Sequence, residues 1–251
     1  MSQSTALHGL EALDAFEDDL IAQYRAHPVL TDTPRLSDSV FKDLLLQRRF
    51  LSLAFTPAYD LAIDLIDDKE GLRIARVILR EEYPDGSGNT RSHREDMIED
   101  MLQLGISRAE LAASRPTAAT LEAVNATFAL IADAGGRPDS DLRLLTILRF
   151  WGEILVSTEY AQLWHRMGPL LTRDGENRSH FYYPHLVHDA KAHPLASVSL
   201  LATSHADRLA RRLHALLTAA EPGAAAAAFR AEEQRSLDIK LRFYDQFGAG
   251  S

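Results

Sequence analysis

Residues 180–193 read HFYYPHLVHDAKAH, and their histidines and aspartate have the spacing of a ligand set. If the segment is one helix, His185, His188, Asp189 and His193 fall within about two and a half turns. Asp189 then stands about 40° round the axis from His185 and His193 about 80°, so these three converge. His188 turns about 60° from His185 in the opposite sense, about 100° from Asp189. Two readings follow: a solvated polar face, or half of a metal site. The flanks HFYYP and PLASVSLLA are largely apolar, which gives the helix a side facing the core. An aspartate buried between two histidines is costly unless it is neutralised, and a divalent metal does this well. Imidazole and carboxylate without thiolate suit iron, manganese or zinc.

Matching ligands must come from other helices. RFWGEILVSTEY sets Glu153 among Phe150, Trp151, Ile154 and Leu155, where a carboxylate needs a partner: a metal, or an arginine such as Arg149 in a core salt bridge. Glu159, six residues on, is the weaker ligand. ILREEYPDGSGNTRSH ends one helix with Glu81 and Glu82, passes a glycine-rich turn and begins the next helix at His93. Such a turn can fold a glutamate and His93 onto one site, with Glu81 and Glu82 both available. Taken alone, each end is an ordinary solvated helix terminus.

The elements that carry these residues are helical throughout, and no strand-like alternation stands out. Helices are expected over about 7–25 and from Ser37 or Ser39 through VFKDLLLQRRFLSLAF, with Pro57 interrupting before AYDLAIDLIDD. KEGLRIARVILREE follows, then a helix capped by Thr90 or Ser92, and a short one near 107–113. A long one opens at Pro116 and stops at Gly135 and Gly136. The segment from Ser140 or Asp141 is apolar on most sides up to Val156, as a central buried helix must be. Pro194 breaks or kinks the histidine helix, and two helices near 196–219 and 224–246 close the chain. Roughly nine or ten helices with short connections and no obvious linker predict an all-α bundle, one domain over residues 1–251.

Composition narrows the function. The 251 residues carry a formal charge of -9 with both signs interspersed, which argues against a nucleic-acid partner. There is no cysteine, hence no disulfide, thiolate site or cysteine nucleophile, and this fits the cytoplasm. The N-terminus carries acids where a signal peptide needs bases, and no apolar run approaches the roughly 20 residues of a membrane span.

The three segments in this order resemble the haem-oxygenase-like diiron oxidases: EEYPDG followed by His93, the lone helical Glu153, and FYYPHLVHDAKAH. The resemblance spans about residues 35–245 and implies a haem-oxygenase-like bundle of about seven core helices plus peripheral ones. It implies two Fe(II) ions per chain, held by Glu82, His93, Glu153, His185, Asp189 and His193, with O2 as cosubstrate. Four features depart from the family pattern: Pro84, a longer turn before His93, a gap of four from Asp189 to His193, and Pro194 directly after it. Asp60 or Asp64 is the nearest candidate for a further carboxylate. The resemblance further implies oxidation of small aliphatic substrates, often free amino acids or fatty acids and here free amino acids foremost, by desaturation, carbon–carbon cleavage, oxidative decarboxylation or N-oxygenation. An external electron donor and a homodimer are compatible with it. Arg149, Arg178 or Lys191 could receive a substrate carboxylate and Tyr182 could contact the substrate, and Tyr182, Tyr183 and Tyr160, near the motifs, could orient ligands. Alternatives on the same fold are a metal-free oxidase of the pyrroloquinoline-quinone-synthase type, a haem oxygenase using His8 or His27, and a non-catalytic helical protein. The thiaminase-like hydrolases of this fold resemble enzymes with a catalytic cysteine, which this chain lacks.

Overall fold

The computed structural model describes residues 3–84, 91–197 and 204–248. Its helices are α1 (Gln3–Arg25), α2 (Pro28–Thr31), α3 (Asp38–Leu65), α4 (Lys69–Glu81), α5 (His93–Gln103) and α6 (Arg108–Ala113). After these come α7 (Ala118–Gly135), α8 (Ser140–Ile147), a π-helical stretch (Leu148–Ile154), α9 (Leu155–Leu171), α10 (Tyr182–His188), α11 (His205–Ala219) and α12 (Pro222–Asp245). The chain is all-α, as its periodicity requires. Among the described residues, seven long segments build the core: α1, α3, α4, α7, the continuous α8–π–α9, α11 and α12. The short α2, α5, α6 and α10 lie around them.

Side-chain caps set the helix starts. Ser37, Asp68, Thr117 and Ser204 each accept a backbone N–H from the first turn of the helix they precede. Ser92 with Glu95 and Ser107 with Glu110 form full capping boxes. Thr117, not Pro116, thus sets the start of α7. The other candidate cap for α5, Thr90, and the turn at 85–90 lie outside the described residues, as does 198–203 ahead of α11.

The α8–π–α9 rod runs through the middle. Every residue from Leu144 to Tyr160 is buried, so the expectation of a central helix holds. α3 packs on α7, α12 on α1, α7 and α8, and α10 on α9.

Four local expectations are corrected. Pro57 does not interrupt α3, because Ala54, Ala58, Tyr59 and Ala62 bury the same face on both sides of it and packing outweighs the lost N–H bond. The rod is not uniformly α: it widens to π over seven residues. The histidine helix is one short element that ends at His188, so His193 is not on it. A two-residue ribbon, Thr172–Arg173 against Glu176–Asn177, closes through Asp174 and Gly175 at φ 55° and 79°. A ribbon this short shows no periodicity in sequence.

Candidate metal centre

Two groups of ligands come together, each with atoms within 4.8 Å of one another: Glu82, His93 and His185, and Glu153, Asp189 and His205. All six line one cavity of about 170 Å³. Five are residues expected from the sequence; the sixth is His205 in place of His193.

The first group joins three elements. Glu82 caps the C-terminus of α4 and His93 opens α5. The His93 N–H donates to the Glu82 carbonyl at 3.3 Å, and His93 Nδ1 lies 2.8 Å from Glu82 Oε1. The backbone bond therefore clamps the two ends that carry the ligands. His185 is brought in by α10, whose N-terminus is tied to Asp100 of α5. That buried carboxylate accepts from Ser179 Oγ (2.6 Å) and from the backbone N–H groups of His180, Phe181 and Tyr182 (3.0–3.2 Å). A carboxylate at a helix N-terminus also meets the positive end of the macrodipole. His185 Nδ1 donates to the Phe181 carbonyl at 2.7 Å, which fixes the tautomer and leaves Nε2 as the free lone pair, 4.0 Å from Glu82 Oε1. Burial, then the neighbouring His93, hold the His185 imidazole down to about 4, neutral as a ligand must be. His93 goes the other way: burial opposes its charge, but the bond to Glu82 raises it.

The second group sits deeper. Glu153 lies in the π stretch, where the extra residue per turn re-aims side chains relative to an α-helix. Its Oε1 accepts from the Tyr59 hydroxyl, and its Oε2 is 3.2 Å from His205 Nδ1. Gly152 makes this contact possible: a Cβ there would stand 3.1 Å from the Tyr59 ring. Asp189 closes α10 and places Oδ1 3.4 Å from His205 Nδ1. The other nitrogen of His205 bonds Glu81 Oε2 at 2.9 Å, and Glu81 is 3.7 Å from Arg208. The adjacent glutamates thus divide: Glu82 belongs to the first group, and Glu81 orients a histidine of the second. Burial, then the charge of Glu153, raise Asp189 well above the carboxylate range. Burial works against a charge on His205, but its bonds to Asp189 and Glu153 push it up to about 11. Two buried carboxylates facing one imidazole make a pocket that draws positive charge. Three carboxylates and three imidazoles without thiolate fit a pair of hard to borderline divalent ions.

His193 is held elsewhere. Its Nδ1 lies 2.6 Å from Asp207 Oδ2 and its N–H donates to Asp207 Oδ1 at 3.2 Å. Pro194 keeps residue 193 out of the helical region, so the face counted from His185 does not extend to it. His205 had a signal in sequence, since Ser204-His205-Ala206-Asp207 repeats the pattern Ser92-His93-Arg94-Glu95. Each serine caps a helix and puts a histidine at its first position. Asp60 and Asp64 are exposed, and Tyr59 is the α3 residue that reaches the centre.

The residues expected to bind substrate lie away from both cavities. Arg149 is buried on Glu17, with Nη2 3.0 Å from Glu17 Oε1. Lys191 pairs with Asp18 at 2.7 Å and Glu17 at 2.8 Å, and Arg178 with Glu176 at 2.7 Å. Tyr182 is buried edge-on against Tyr160, and Tyr183 packs on Trp164. A second cavity of about 390 Å³ shares Phe55, Glu82, His93 and His185 with the smaller one. Leu51, Met97, Trp151, Val156 and Tyr160 continue its walls, and Arg48 and Lys240 also line it.

No protein-family model matches the chain, and no curated protein matches its sequence. Solved structures do. A CADD-like protein of unknown function from Nostoc punctiforme is 13% identical with a TM-score of 0.65, over 95% of this chain and 96% of that one. A TenA homologue from Pseudomonas syringae pv. tomato is 12% identical with a TM-score of 0.66, over 94% and 91%. A domain of unknown function with a haem-oxygenase-like fold from Shewanella denitrificans is 14% identical with a TM-score of 0.62, over 98% and 92%. Identities this low speak to the fold alone, and the fold of this chain is haem-oxygenase-like.

Proposed function

We propose that the chain is an O2-activating non-haem diiron oxidase acting on a small aliphatic substrate. The observation that carries this reading is the pair of three-residue groups around one cavity, Glu82–His93–His185 and Glu153–Asp189–His205. Such carboxylate and imidazole sets on facing helices suit two ferrous ions. When bound, the irons supply the electrons that turn dioxygen into an oxidant able to take an aliphatic hydrogen. The chain's own groups orient and enclose. The Phe181 carbonyl and Glu81 aim His185 and His205, and the Tyr59 hydroxyl steers one oxygen of Glu153. The larger cavity, bordered by the first group and walled in large part by apolar side chains, offers a place for a hydrocarbon.

The test is anaerobic Fe(II) titration of the purified chain, followed by rapid mixing with oxygenated buffer and absorbance detection. Uptake of about two irons per chain, falling to about one in Glu153→Ala and in His185→Ala, is expected. Iron uptake that is absent, or indifferent to both substitutions, would sink the reading.

A further inference from the structure

The larger cavity contains a cation that holding metal does not explain. Lys240, on α12, is 1% exposed and yet lines this cavity. Its Nζ is 3.6 Å from Glu159 Oε1, beyond hydrogen-bond length, and 5.6 Å from the centre of the Trp151 ring. Glu159 is already engaged. It accepts the Tyr24 hydroxyl at 2.5 Å, the Tyr244 hydroxyl at 3.2 Å and Arg48 Nε at 2.5 Å. Two buried cations, Arg48 and Lys240, therefore share one carboxylate. A buried ammonium in this position is costly without a further anion, and burial accordingly pushes Lys240 down to about 7.

Distance along the helices sets where that anion would sit. α3 and the central rod run antiparallel, with Tyr59 on Glu153, Ser52 on Tyr160 at 3.3 Å and Arg48 on Glu159. From Glu153 to Tyr160 is two turns, about 10 Å. The Tyr160 ring lies between the two ends, 5.1 Å from the Arg48 guanidinium and 6.2 Å from the His185 ring. Between them the walls are Leu51, Phe55, Met97, Trp151 and Val156.

We propose that Lys240, backed by Arg48, anchors the carboxylate of an aliphatic acid whose hydrocarbon lies along the larger cavity towards Glu82, His93 and His185. The ligand class is an acid without an α-ammonium group. Among the described residues, the one acidic residue on the lining is the ligand Glu82. An ammonium beside the carboxylate would meet Lys240 and Arg48, whose shared carboxylate, Glu159, is already engaged by Arg48 and two tyrosine hydroxyls. Of the free amino acids and fatty acids that the sequence resemblance implies, this anchor selects the second, where the resemblance put the first foremost. The assignment rests on the diiron reading for what happens to the chain of the acid, and not for its binding.

Binding is tested on the full chain stripped of metal, so that a carboxylate cannot reach iron. The probe is octanoate, which extends to about the length of two helical turns. Affinity is read by calorimetry and by fluorescence of Trp151. Octanoate is expected to bind wild type more tightly than 1-octanol or 2-aminooctanoate. Lys240→Met should weaken octanoate about ten- to a hundred-fold and leave 1-octanol unchanged, as loss of a charge-assisted bond requires. Lys240→Arg should retain most of the affinity, and it keeps the assignment testable if the methionine variant fails to fold. Arg94→Ala, at the exposed cation of the lining, should change little. Octanoate binding no tighter than 1-octanol, or unaffected in Lys240→Met, would overturn the anchor. Iron uptake, measured separately, keeps that failure distinct from failure of the diiron reading.

Discussion

At the residue scale, the second ligand group and the cation cluster each make a measurable demand. His205, not His193, faces Glu153 and Asp189. His205→Ala is therefore expected to halve the iron bound per chain, while His193→Ala, which breaks only the Asp207 contact, leaves the stoichiometry intact. Iron analysis after anaerobic loading and desalting distinguishes the two, and the reverse pattern would restore His193 as a ligand. Lys240 makes a pH-dependent demand. Across pH 6 to 9, Glu159 stays charged because Arg48 and Lys240 hold it low, against its burial. Arg48 stays charged, and burial keeps Tyr24, Tyr160 and Tyr244 neutral. Lys240, lowered to about 7, is the member of this cluster that titrates. The ammonium form binds a carboxylate and the amine does not. Octanoate affinity should thus be flat below pH 7 and fall up to about tenfold per unit above it. Lys240→Arg should abolish the fall, because a guanidinium keeps its proton. An affinity independent of pH in wild type would remove the ammonium from the binding step.

At the element scale, Asp100 shows how one residue can set the place of a whole helix. It lies seven residues after His93 on the same face of α5 and gathers the N-terminus of α10. Asp100→Ala removes the acceptor for four donors and should cost about 2–3 kcal/mol in denaturant unfolding. It should also weaken iron binding at the His185 group more than at the Glu153 group. Equal loss at both would make Asp100 a general stabiliser and not a positioner of α10. The same elements explain what was legible in the sequence. The helix starts at Ser37 and Ser92 were readable, each as one of two neighbouring candidates, because a cap carries its signal within a few residues. Glu153 and the pair Glu82–His93 stood out because carboxylates in apolar runs, and polar ends about a turn, need a partner. The break after His188 was less legible. Pro194 was visible and bars residue 193 from the helical region, but the helix already ends at His188, five residues earlier, where no breaker stands. The π stretch was not legible, since its Gly152 gains meaning only from Tyr59, which packs on it from across the core. Lys240 went unnoticed because a lysine four residues from Ser236 and Tyr244 reads as an ordinary polar helix position.

At the scale of the whole molecule, the bundle is tied together by charges buried between its longest helices. Arg149, in the rod, pairs with Glu17 of α1, donates to the Ala206 carbonyl of α11 at 3.2 Å and lies 3.8 Å from Glu233 of α12. Four elements thus meet on one guanidinium, and Lys191 adds a second cation to Glu17. Glu17 is held at about 2 against its burial, chiefly by Arg149, while burial and the charge of Glu17 raise Glu233 well above the carboxylate range. The folded pKa of Glu17 is below its unfolded value, so its contribution is present above about pH 4.5 and lost as pH falls towards 2. Arg149→Met leaves Glu17 buried with Lys191 alone and should cost about 3–5 kcal/mol at pH 7. The double variant Glu17→Met with Arg149→Met should regain a good part of that loss, because it removes the stranded charge together with its partner. Fully buried pairs of this kind contribute less than the loss of either partner suggests. Denaturant unfolding of the two variants and wild type, at pH 7 and at pH 3, separates the terms. The gap between wild type and Arg149→Met should narrow at pH 3, where the unfolded state already protonates Glu17. A gap unchanged with pH would mean that Arg149 acts by packing and by its bond to Ala206, and not through Glu17. Iron uptake per folded molecule should be the same in all three, since Arg149 borders neither cavity.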